Sequence, residues 1–171
     1  LILQENFTVK LLEHLRQGDI DVAILAEPFP VQGLMTQAVY DEPFVVAVPR
    51  QHAWRARTAI SSRELKSETM LLLGTGHCFR DHVLEVCPEL SRYSQASAGI
   101  QKTFEGSSLE TIRHMVASGI GITVLPAMAR TEAGDDSLLH YVPFEAPAPL
   151  RRVSLARRKS FPRLEAVAAL R

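Results

Sequence analysis

Apolar residues along the chain follow two rhythms in turn. Leu11, Leu12 and Leu15 fall on one face of a helix that Thr8 would cap and that Gly18 would end as a left-handed residue beyond its last turn. Directly after it, Val22-Ala23-Ile24-Leu25-Ala26 is a continuous apolar run between Asp21 and Pro28, the pattern of a strand covered on both faces. Phe44 to Val48, between two prolines, and Met70 to Leu73, ahead of Gly74-Thr75-Gly76, read as further strands. A helix is expected from about Arg80 to Cys87, stopped by Pro88. Ser107-Ser108-Leu109-Glu110 opens another, with Leu109, Ile112, Met115 and Val116 on one face and Gly119 at its end. Strands over Ile122 to Leu125 and Val153 to Ala156 follow, then a helix over Leu164 to Leu170. Strands and helices alternate with no repeat and no long linker, which predicts an α/β fold with mostly parallel sheets.

Composition adds bounds. With 171 residues, 46% of them hydrophobic and 22% charged, and only 9 Gly and 10 Pro, the chain can bury a core as one body or two small lobes, and it is neither disordered nor fibrous. No apolar run approaches the ~20 residues of a membrane span, and the start has no signal-peptide pattern, so no membrane partner and a cytoplasmic location are expected. The first residue is Leu1, and Leu1-Ile2-Leu3-Gln4-Glu5 reads as a strand already under way, so a piece of a longer protein is expected. Lys and Arg number 19 against 19 Asp and Glu, which denies this chain by itself the positive field that tight binding to nucleic acid needs. The charge is uneven, acidic over residues 1–45 and basic over 151–171, as expected if the two ends lie close and partly neutralise.

The densest chemistry is Gly74-Thr75-Gly76-His77-Cys78-Phe79-Arg80-Asp81, followed by the second cysteine, Cys87. A cysteine at a helix N-terminus, near His77 and Arg80, is placed for a lowered thiol pKa and hence for reactivity. Against this stands the inert buried cysteine, which suits Cys87, after Val83, Leu84 and Val86, better than Cys78. Nine residues of helix rise about 13.5 Å, whereas a disulfide needs Cα atoms within about 7 Å. A bond between these two would therefore require Phe79 to Val86 to unwind. No metal site is expected, because His77, His82 and two cysteines nine apart lack zinc spacing. No cofactor is expected either: Phe79 stands where a dinucleotide loop needs its third glycine, and Gly119-Ile120-Gly121 comes before a strand instead of after one. A Cys–His hydrolase using His14, His52, His82, His114 or His140 has no local signature. Ser107 and Ser108 offer hydroxyls and backbone N–H groups to a small anion, and equally form a capping box of Ser107 with Glu110.

Three stretches together resemble the effector-binding domain of LysR-type transcriptional regulators: Leu15 to Ile24, Tyr40-Asp41-Glu42-Pro43, and Gly106 to Pro126 with its Gly119-Ile120-Gly121. Gly76-His77-Cys78-Phe79-Arg80-Asp81 with Cys87 is similar to the peroxide-sensing branch of that family. The resemblance implies a periplasmic-binding-protein-like (type 2) fold of two Rossmann-like α/β subdomains joined by crossover strands. Residues 1–43 plus 158–171 would form one subdomain and 44–157 the other, with the N-terminal winged helix-turn-helix and the first strand-turn of the regulatory domain, which carries another threonine of the peroxide pocket, absent. It implies a sensor and not an enzyme: hydrogen peroxide oxidises Cys78, the peroxidatic cysteine, and Cys87 resolves it as a disulfide. Thr8, His77, Arg80, Asp81 and Arg158 would make the peroxide pocket, with His77 shaping it, Arg80 stabilising the thiolate and Asp81 orienting the loop. The implied partners are a second copy in a homodimer, a tetramer in the full-length protein, DNA through the absent domain, and RNA polymerase. The alternative within the family is a small organic anion held at Ser107 and Ser108, with structural cysteines. A stand-alone thiol peroxidase would need a reductant site that nothing in the sequence suggests.

Overall fold

The computed structural model describes residues 1–86, 103–106, 108–130 and 138–169. The chain divides into two compact units, Leu1–Glu42 with Arg151–Arg171, and Pro43–Leu150. The return crossing falls at the first residue of β7 (Leu150–Arg158), where the expected boundary lay near its end, and β7 pairs with β1 from Val153 to Arg157.

In the first unit, α1 (Thr8–Gln17) packs Leu12 and Leu15 against Ala23 and Leu25 of β1 (Val22–Ala26), with Phe29, Leu34 and Ala156 completing the cluster. Gly18 ends α1 at φ 94°, donating its N–H to the His14 carbonyl at 3.0 Å, as the sequence predicts. Thr8 does not cap the helix. It is the first helical residue, and Phe7 occupies the cap position without a side-chain bond. Residues 1–7 form no strand, and Leu1, Ile2 and Leu3 are exposed. Nor is β1 buried on both faces: strand alternation turns Ala23 and Leu25 toward α1 and Ile24 to the opposite side, where it is 64% exposed. Asp41 and Glu42 near the crossing meet Arg152 and Arg151, each carboxylate within 2.7 Å of its guanidinium. The acidic and basic ends of the chain do neutralise one another there. Arg152 donates to Asp41 and holds its carboxyl below the ordinary carboxylate range. Glu42 is buried, so its pairing with Arg151 satisfies a charge that burial would otherwise penalise.

In the second unit, the far half of β2 (Leu34–Pro49) is flanked by β5 (Thr123–Pro126) and β6 (Leu139–Pro143), both antiparallel to it. The parallel pair β3 (Met70–Leu73) and β4 (Thr103–Gly106) joins through Leu71, whose N–H reaches the Ile122 carbonyl at 2.8 Å. The expectation of mostly parallel sheets is overturned: β1–β7, β2–β5 and β2–β6 pair antiparallel, whereas β3–β4 pairs parallel. An apolar run covered on both faces carries no mark of its neighbour's direction. Gly121 is required by contact, since a Cβ there would run into the Thr69 carbonyl oxygen. The helix α3 (Leu109–Ala117) lays Ile112 and Val116 on this sheet. Its cap is Ser108, not a Ser107–Glu110 box: the Ser108 hydroxyl accepts the Thr111 N–H at 3.1 Å. Ser107 lies outside the described residues. A short helix α4 (Leu164–Ala168) follows β7. No helix among the described residues is long and apolar enough to cross a membrane.

Candidate functional site at the start of α2

β3 is buried throughout, which fixes where the chain leaves the sheet at Leu73. Gly74 extends the pairing by one bond, its N–H reaching the Gly106 carbonyl at 3.0 Å, and Gly76 turns the chain at φ 100°. The Arg80 N–H then closes on the His77 carbonyl at 3.0 Å, and α2 (Cys78–Val86) begins two residues earlier than the sequence suggests. Cys78 is its first residue, half-buried and a free thiol. The N–H groups that a first helical turn leaves open lie beside it, a setting that receives negative charge.

The rest of α2 explains why Cys78 stays in place. Phe79 is 6% exposed and sits edge-on to Phe44, with ring centroids 5.4 Å apart, while His82 and Val83 are buried one turn further on. Arg80 Nη1 donates to the Leu73 carbonyl at 2.9 Å and ion-pairs with Glu105 at 2.6 Å, which ties it to β3 and β4. Asp81 is exposed in the first turn, and His77 is half-buried. Glu105 was not singled out by the sequence. Its partner lies on another element, and only the parallel register of β3 and β4 brings the two together.

His77, Cys78, Arg80 and Asp81 therefore share one turn of the second unit. Thr8 and Arg158 belong to the first unit, where they mark opposite ends of α1. The Arg158 guanidinium donates to the Leu15 and Ile20 carbonyls, the latter at 2.9 Å, and covers the C-terminal end of that helix. Cys87 lies outside the described residues. α2 is intact from Cys78 to Val86, eight residues and about 12 Å of helical rise. Ser108 and Thr111 hydroxyls, 3.0 Å apart, bond each other while Ser108 caps α3, which gives the Ser108 side chain a structural use. No cluster of three or more metal-ligating side chains occurs among the described residues.

Residues 1–171 match the family model of the LysR substrate binding domain. The chain is 36% identical over 176 residues to a probable hydrogen peroxide-inducible genes activator of Streptomyces viridosporus, covering 100% of this chain and 55% of that protein. It is 35% identical over 162 residues to the DNA-binding transcriptional dual regulator OxyR of Escherichia coli, covering 95% of this chain and 51% of that one. The chain thus spans about half the length of the curated relatives it matches. A solved reduced form of OxyR from N. meningitidis superposes with TM-score 0.90 at 49% identity, covering 98% of this chain and 77% of that one. The α/β fold is the periplasmic-binding-protein-like one that the resemblance implied.

Proposed function

From the premise that the chain belongs to the LysR substrate-binding domain family, we propose that it is the peroxide-sensing regulatory part of an OxyR-like transcription regulator. One observation carries the reading: a free, half-buried cysteine opens a regular helix directly after a glycine turn, beside the N–H groups that its first turn leaves open. Cys78 Sγ attacks one peroxide oxygen, the O–O bond breaks, and water leaves a sulfenic acid. The Cys87 thiol then displaces the hydroxyl as a second water, and the S–S bond forms once α2 has unwound. Two thiols have given two electrons to one peroxide.

His77, next to Cys78, shapes the entrance, and Asp81 orients the turn. Arg80 does its work by tying the turn to β3 and β4. Thr8 and Arg158 enter the proposed pocket on the family resemblance. So do assembly as a dimer, a tetramer of the whole protein, contact with RNA polymerase and a cytoplasmic location. Binding to DNA fits the description of the E. coli relative as a DNA-binding regulator, and a separate N-terminal module for it enters on the family resemblance.

Intact mass before and after one equivalent of peroxide tests the reading. The expected result is a loss of about 2 Da, one disulfide per chain, abolished by Cys78→Ser. An unchanged mass, or a Cys87→Ser chain that still undergoes the full conformational change, would overturn it.

A further inference from the structure

Unwinding α2 means giving up whatever holds its first turn to the sheet. Arg80 is that hold. Its side chain is 13% exposed, and its Nη1 reaches both the Leu73 carbonyl at the end of β3 and the Glu105 carboxylate on β4. Glu105 is 51% exposed, so the guanidinium is the more buried partner and the one that needs a countercharge. The β3–β4 register sets Glu105 opposite Leu72, and its other carboxylate oxygen reaches across the turn, 4.0 Å from where a Cβ on Gly74 would stand. One carboxylate thus spans the exit from β3 and the entry to α2.

We propose that Glu105 is a positioning residue that acts through Arg80 to keep the first turn of α2 closed, and thereby sets how readily Cys78 leaves the helix to form its disulfide. This rests on the peroxide-switch reading. Arg80 lies inside the segment that must give up helical geometry, two residues from Cys78, and the ion pair lasts only while that turn is in place. Losing Glu105 removes a cost of oxidation without touching sulfur.

The experiment equilibrates the chain with oxidised and reduced dithiothreitol, in which two cysteine thiols pass two electrons and two protons to the reagent's disulfide. Glu105→Gln is expected to favour the protein disulfide by about fivefold, or about 20 mV, the scale of a partly exposed ion pair. In wild type, 1 M salt should screen the pair and reproduce most of that shift, and in Glu105→Gln it should add little. Melting of both redox forms separates this from general weakening: the substitution should lower the reduced form and leave the oxidised form nearly unchanged. Equal losses in both forms, or an unmoved equilibrium, overturn the proposal. If wild type itself forms no disulfide with peroxide, it is the peroxide-switch reading that fails.

Discussion

Replacing Phe79 with Leu asks directly whether α2 is dismantled when the disulfide forms. The ring is 6% exposed and meets Phe44 edge-on at 89°, so the substitution removes that contact and part of a buried ring. An edge-to-face pair is worth ~0.5–1.5 kcal/mol beyond its burial, and the smaller side chain adds a packing loss, giving about 1.5 kcal/mol in all. Denaturant unfolding of the reduced chain should show that loss as a lower midpoint with an unchanged slope. If Phe79 to Val86 leaves helical geometry on oxidation, the oxidised form no longer uses the contact. The whole difference then appears in the thiol–disulfide equilibrium, as roughly tenfold or about 30 mV toward the disulfide. A reduced chain that loses the stability while its potential stays put would show both forms keeping Phe79 where it is, and the unwinding argument would be wrong.

Two other perturbations have definite signs. Arg151→Met leaves the Glu42 carboxylate, 3% exposed, without its guanidinium, and is expected to cost about 3–5 kcal/mol in denaturant unfolding; a loss under ~1 kcal/mol would mean water replaces the pair. Glu64 accepts the Ser61 N–H at 2.8 Å and pairs with Arg57, which together hold its carboxyl below the ordinary value of 4.5. Its contribution is complete above that value and disappears as pH falls through the lower folded one. The melting-temperature gap between wild type and Glu64→Gln should therefore be present at neutral pH and close in acid; a gap independent of pH would contradict the linkage.

Much of the fold was legible because local rules decide it. Gly18 and Gly119 mark the ends of α1 and α3, both at positive φ, and Met70 to Leu73 stands in the structure with the bounds its apolar run suggests. Sheet direction was not legible, for pairing is a property of two segments and the letters describe one. The same limit hid β6, which pairs with Val45 to Pro49 far earlier in the chain, and the first half of β2, where Met35 to Ala38 are exposed. At the site, the Cys78 position at a helix start followed from the glycine turn, although the helix was expected two residues later. The partner of Arg80 did not follow, because Glu105 arrives through a parallel register across 25 residues. Thr8 and Arg158 came from family likeness, and the nearest structural explanation for Arg158 is the open end of α1.

The double crossing at Glu42–Pro43 and Leu150–Arg151 bears on how the molecule is made. A ribosome delivers β1 long before β7, the strand that pairs with it, so the edge of β1 that receives β7 must wait while about 125 residues are translated. The contiguous middle of the polypeptide can collapse first, and its completion brings the two outer portions into range, replacing a long random search with a short one. Nascent chains halted before Leu150 should then resist protease only within Pro43–Leu150, with protection of the leading segment appearing after Arg158 has emerged.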